Sequence, residues 1–153
     1  SCKKVAVITG DIETTAGHQR LDGYNQVYRE FGRVPNKTLI KQGDYSYECG
    51  HLHMQQLLEE HPDVDGVFAC NDLMALGAIA AIEESGRTVP DDVAVIGFDD
   101  SVSSRTSRPQ LSTIRQDIAA LGEAAAELMI AQLNGEPVES RIMPVELVLR
   151  ESA

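Results

Sequence analysis

A mostly parallel α/β sheet with helices on both faces is predicted by three observations. Short apolar runs of strand length, at residues 4–9, 65–70 and 93–98, each end in polar residues. Longer segments with helical spacing lie between them. Glycine or proline closes those segments, at Gly32, Pro62 and Gly86. A continuous apolar run marks a strand covered on both sides, and a helix between such runs supplies the crossover that parallel neighbours need.

Residues 65–100 are the centre of this pattern. The run 65–70 stops at Asn71-Asp72, and a helix over 73–82 follows that is apolar on nearly every side, so the sheet and a further surface both claim it. Ser85-Gly86 ends it, glycine supplying the left-handed residue, and Pro90 blocks a restart. The next strand, 93–98, runs into Asp99-Asp100. Ahead of this centre, strand 4–9 leads into a polar loop over 10–17. From His18, Leu21, Tyr24, Tyr28 and Phe31 recur at helical spacing. Residues 38–42 form a short, more polar strand near an edge, and Gly43-Asp44-Tyr45 is the loop after it. Gly50, Met54, Leu57 and Leu58 share a stripe of the next helix, 46–61. Beyond the centre, 101–110 has no helical periodicity and reads as a loop. Residues 111–115 alternate as a strand. A helix over 117–134 aligns Ile118, Leu121, Ala125, Leu128 and Met129, and 145–149 is a last, half-exposed strand. Right-handed crossovers favour a flavodoxin-like strand order for this series. The stripe on helix 117–134 needs a partner, either its own sheet or another copy of the chain.

At 153 residues the chain is one ordinary domain. Thirteen basic against 24 acidic residues give a formal charge of −11, which repels nucleic acid and anionic membrane. No run of apolar residues is long enough to span a bilayer, and the N-terminus reads as a first strand rather than a signal peptide, so a cytoplasmic protein is expected. Cys2, Cys49 and Cys70 are odd in number and lack C-x-x-C spacing, which favours free thiols.

The chemistry that these residues support is binding. Asp99-Asp100 could serve acid–base work or magnesium, but the first strand ends with a single acid, Asp11, and Asp100 reads equally well as a cap on backbone amides. His18, His51, His53 and His61 fall on or beside surface helices, His51 and His53 point to different faces, and no metal site is expected. Gly-x-Ser-x-Gly and the glycine-rich phosphate motifs are absent, so no nucleophile or nucleotide cofactor is expected. The strand ends instead offer hydrogen-bonding groups suited to a polyhydroxylated ligand. Asn71 donates and accepts, Asp99 accepts twice, and Arg20 donates in a fork. Tyr45 could cover the apolar face of a sugar. Asp72 reads as the cap of the helix that follows it. In that helix Leu73, Leu76 and Ile79 are the expected contact of a twofold homodimer.

Arg20-Leu21-Asp22-Gly23-Tyr24, Asn71-Asp72-Leu73-Met74-Ala75-Leu76-Gly77 and Gly97-Phe98-Asp99-Asp100, in this order, resemble the lactose-repressor (LacI-type) family of bacterial transcription regulators. The resemblance extends to Gly43-Asp44-Tyr45, Val89-Pro90-Asp91-Asp92, Pro109-Gln110-Leu111-Ser112-Thr113-Ile114-Arg115-Gln116 and Pro144-Val145-Glu146-Leu147. Singly these pieces are weak; together, in order, they cover almost the whole chain. The resemblance implies a periplasmic-binding-protein-like, two-lobed effector-binding core, of which this chain is the C-terminal lobe. Residues 1–116 would form that lobe, 117–143 a helix and crossover of the first lobe, and 144–153 the returning strand. It implies Arg20, Tyr45, Asn71, Asp99 and Gln116 as effector contacts, and the helix around Leu76 as a dimer contact. The effector would be a small molecule, a sugar before a purine, and operator DNA would be met only through a module outside this chain. A solute-binding protein of the transport type is the alternative, and a small flavodoxin-like enzyme or receiver is a third reading.

Overall fold

A computed structural model describes residues 2–153. Six strands form one sheet in the order β2-β1-β3-β4-β5-β6. The strands are β1 (Val5–Thr9), β2 (Ile40–Gln42), β3 (Gly66–Ala69), β4 (Ala94–Asp99), β5 (Ser112–Gln116) and β6 (Val145–Val148). All neighbours are parallel except β5 and β6, which run antiparallel with Ile114 opposite Leu147. The first five strands therefore have the flavodoxin-like order, and β6 closes the edge as the returning strand.

Helices α1 (Thr15–Glu30), α2 (Tyr47–Glu60) and α3 (Asp72–Glu84) start where a side chain takes up free backbone N–H groups. Thr14 accepts from the amide of Gly17, Ser46 from that of Cys49, and Asn71 from that of Met74. The Thr14 cap lets α1 begin before His18, inside the expected loop. Asn71 is the cap of α3, a place the sequence reading gave to Asp72. The stretch expected as a loop after Asp100 contains a short helix, α4 (Val102–Thr106), which Ser101 caps by accepting from Ser104. Five residues are too few to display helical periodicity, so the cap was its only signal.

α2 and α3 pack against each other and cover one face of the sheet. Met54, Leu57, Met74, Ala75, Ala78 and Ile82 are buried there with Ala6, Ile8, Val67 and Val95. Each large side chain so buried is worth roughly 1.5–3 kcal/mol. The two helix backbones touch at glycines: a methyl on Gly50 would lie 2.2 Å from the carbonyl oxygen of Met74, and one on Gly77 would lie 2.1 Å from that of Tyr47. This close pairing uses much of the apolar surface of α3.

The opposite face carries α1, whose Tyr24 and Tyr28 both donate to the carbonyl of Val5, at 2.7 and 2.8 Å. Beside α1 the sheet stays open. Helix α5 (Ile118–Leu133) follows β5 after a single residue, Asp117, and runs away from the sheet. It buries only Ala124, and Ile118, Leu121, Met129, Ile130 and Leu133 are exposed. It does not fold back on its own sheet.

Candidate functional site

Because β1, β3, β4 and β5 are parallel, their carboxyl ends share one edge, and there open α/β sheets bind ligands. Arg20 reaches that edge from the second turn of α1. Its guanidinium stacks 3.7 Å from the centroid of the Phe98 ring, and Nη1 donates to the carbonyl of Cys70 at 2.5 Å. The other nitrogen, Nη2, stands 4.0 Å from Oδ1 of Asp99. Gln116, the last residue of β5, donates from Nε2 to the same oxygen at 3.1 Å. Arg20, Asp99 and Gln116 thus form one polar group with Phe98 as its floor. Phe98 was not picked out in the sequence; its place one residue before Asp99 was the available signal.

Tyr45 and Asn71 adjoin this group from the β2 and β3 loops. The side-chain nitrogen of Asn71 donates to the carbonyl of Tyr45 at 2.9 Å, while its oxygen caps α3. Arg20 binds the carbonyl of Cys70, the residue before Asn71, which ties the two halves together. Tyr45 has a φ of 69° and lays its ring over Gly10, where a methyl would come within 1.8 Å of Cζ. Its hydroxyl lies 3.4 Å from Oγ1 of Thr14. All five residues expected to meet a ligand are therefore at one edge. Asn71 and Tyr45 also have structural work.

Asp99 is half exposed. Burial pushes its carboxyl upward, Arg20 draws it down, and the charge of Asp72 pushes it up again, so that the balance lies above the ordinary value. Asp99 and Asp100 have φ values of 118° and 54°. Two successive left-handed residues that are not glycine cost about 1 kcal/mol or more each, and tertiary contacts must hold them. Part of that hold comes from Asp100. Its buried carboxylate accepts from Arg150, from Nε of Arg115 at 2.7 Å and from Nη2 of Arg105 at 3.0 Å. Burial pushes this carboxyl up, yet the bonds from Arg150, Arg115 and Arg105 prevail and keep it well below the usual carboxylate range. Asp100 is the centre of an arginine clamp, not a backbone cap. Its partners lie 5, 15 and 50 residues along the chain, so no local pattern announces the clamp.

An apolar groove of 790 Å³ descends from Arg20 and Gln116 between α1 and the open sheet. Tyr24, Val27, Phe68, Ile96, Phe98 and Ile114 line it, so only its upper end has the groups to recognise a polar ligand. Among the described residues no group of three or more His, Cys, Asp or Glu side chains could hold a metal ion. Cys2, Cys49 and Cys70 are free thiols. Of the three residues expected at a dimer contact, Leu73 is 49% exposed and Leu76 partly so, but Ile79 is 4% exposed and belongs to the core. Ile79 is therefore not a surface residue of α3: it lies on the side that packs inward. Tyr47 and Val102 are exposed on the neighbouring helices.

The model of the periplasmic binding protein-like domain matches residues 1–153. The chain belongs to the periplasmic-binding-protein-like family, LacI type. Among regulators it is 39% identical to CelR of Thermobifida fusca over 96% of this chain and 42% of CelR. It is 37% identical to the HTH-type transcriptional repressor PurR of Histophilus somni strain 129Pt, over 98% of this chain and 46% of PurR. The chain thus spans less than half the length of these relatives. Among solved structures it superimposes on the CelR–cellobiose complex with a TM-score of 0.95 and 36% identity, covering the whole chain and 47% of that structure. The lac repressor bound to ONPG gives a TM-score of 0.93 at 30% identity, covering the whole chain and 46% of the repressor. Within the periplasmic-binding-protein-like family, then, the relatives are transcriptional regulators, and among the described residues no helix is long and apolar enough to cross a membrane.

Proposed function

We propose that this chain is the effector-binding and dimerisation part of a LacI-type transcriptional regulator, with a sugar as the effector. One observation carries the reading: a forked donor, a half-exposed carboxylate and a primary amide, Arg20, Asp99 and Gln116, are gathered at the carboxyl edge over an aromatic floor. A sugar offers adjacent hydroxyls that donate and accept together, and such a set answers both. The likeness to a cellobiose complex supports a sugar over a purine. Arg20, Tyr45, Asn71, Asp99 and Gln116 would form one wall of the cleft. Residues 1–116 would be one lobe, α5 and the segment to residue 143 would cross to the other, and 144–153 would return. With a formal charge of −11 this part repels DNA, so operator contact would belong to another part of a longer cytoplasmic polypeptide. A twofold contact would use Leu73 and Leu76, joined by Tyr47 and Val102.

Isothermal titration with cellobiose, glucose and adenine tests this. Heat is expected with a sugar, and Asp99→Ala should weaken that binding by roughly 1.5–3 kcal/mol, the worth of hydrogen bonds to a charged group. Equal binding by the variant would overturn the site. Binding of adenine alone would overturn the sugar.

A further inference from the structure

Asp72 has a buried carboxylate with no basic partner among the described residues, and the site described above leaves it without a task. One of its two oxygens meets the turn that follows β4 and the other meets β5. Oδ2 accepts from the backbone amide of Ser101 at 2.7 Å, and Oδ1 accepts from the hydroxyl of Thr113 at 2.5 Å. That hydroxyl in turn accepts from the amide of Asp100 at 3.4 Å. One carboxylate therefore collects two successive amides, the second directly and the first through Thr113, and these are the amides that come straight after Asp99. They belong to the turn that holds two successive left-handed residues, neither of them glycine. The strand before the turn is shaped to the same carboxylate, since a methyl on Gly97 would lie 2.5 Å from Oδ1.

We propose that Asp72 is the positioning residue of the site: it holds the turn at residues 99–101 so that the carboxylate of Asp99 points at Arg20 and Gln116. The proposal rests on the reading of Asp99 as an effector contact, and it gives the start of α3 a role beyond folding. Asp72 is fixed at the first residue of the helix, with Asn71 capping, so its position follows the rigid body of α3 rather than a loop. The charged groups facing Asp99 are Arg20 from α1 and Asp72 from α3, with the uncharged Gln116 from β5. Neutralising Asp72 removes the one negative neighbour.

The test needs no effector, so its failure is separate from failure of the sugar reading. Carboxyl-detected NMR on the full chain follows the titration of Asp99, and amide exchange is read at Asp100, Ser101, Val67 and Val95. In Asp72→Asn the shape is kept and the charge lost, and the Asp99 midpoint should fall. In Asp72→Ala, exchange at Asp100 and Ser101 should rise roughly ten- to hundredfold while Val67 and Val95 keep wild-type protection. Should Asp72→Ala not fold, Thr113→Val decides the tether: exchange should rise at Asp100 and not at Ser101. An Asp99 midpoint unmoved in Asp72→Asn overturns the proposal. So does unchanged exchange at residues 100 and 101 in the folded Ala variant, or at Asp100 in Thr113→Val.

Discussion

One face of the sheet is closed and the other is half open. Over β1, β3 and β4, α2 and α3 press together until their backbones meet at Gly50 and Gly77, and the side chains between them and the strands are out of water. Across the sheet α1 stands beside a groove lined by Phe68, Ile96 and Ile114, and α5 leaves Ile118, Leu121, Met129, Ile130 and Leu133 exposed. The difference teaches where stability and function divide. The closed face fixes the strands, and the polar group at the carboxyl edge hangs on that frame through Asn71 and Asp72 at the start of α3. The open face contributes Arg20 and the groove. Substitutions should therefore be severe on the first face and mild on the second.

The largest effect is expected at Gly77. A valine there places carbon 2.1 Å from the carbonyl oxygen of Tyr47, a backbone atom that cannot move without parting α2 from α3. A loss of more than about 3 kcal/mol is expected in urea denaturation. A loss below about 1 kcal/mol would mean that the helices separate cheaply, and the contrast between faces would fail.

Next comes the clamp that ties α4, β5 and the C-terminal segment. Asp100→Asn should cost about 2 kcal/mol at neutral pH, because Arg150 would lose its buried partner while Arg105 and Arg115 still reach water. The sign of the pH dependence follows. The folded-state pKa of Asp100 lies below its unfolded value, so its contribution is present above about pH 4 and fades as pH falls toward the folded-state value. The stability difference between wild type and Asp100→Asn should therefore shrink as pH is lowered below about 4. A difference that stays constant through that range would show the arginines to be indifferent to the charge.

How far the sequence carried the reading depends on which of the two faces is asked about. Strands 65–70 and 93–98 were legible because burial on both sides makes a continuous apolar run, and the same patterning carried β1, α2 and α3. Of the five residues expected to meet a ligand, Arg20, Tyr45, Asn71 and Asp99 were picked out by residue type and place in the pattern, and Gln116 by the family resemblance alone. What stayed hidden is set by tertiary geometry. The partners of Asp100 lie 5, 15 and 50 residues away. The exchange of roles between Asn71 and Asp72 turns on which side chain faces Met74 and which faces Ser101. Ile79 could not be told from Leu76 by pattern alone, because α3 is apolar all round and its inward side is decided by α2.

A smaller effect is expected on the open face, at Phe68. It lines the groove while its neighbour in β3, Val67, is buried under α3. Truncation of a half-buried aromatic that already borders a groove removes less contact than the 3–5 kcal/mol of a fully buried one, and about 1–2 kcal/mol is expected for Phe68→Ala. A cost as large as that of a fully buried aromatic would show that the groove is filled in solution.

The smallest effect belongs to α5. Leu133 is 81% exposed at the end of a helix that buries a single alanine, so Leu133→Gln removes almost no contact, and glutamine keeps the helix preference of leucine. Stability in urea should stay within about 0.5 kcal/mol of wild type, the range of a surface substitution. Five exposed apolar residues on one helix are nevertheless a surface that water disfavours, and a second molecule can cover them where the sheet of the same chain does not. Denaturation at two protein concentrations tells the cases apart. A loss above about 1 kcal/mol that appears only at the higher concentration would place Leu133 against another copy. The same loss at both concentrations would place it against its own sheet, and the half-open face would then have to be redrawn as closed.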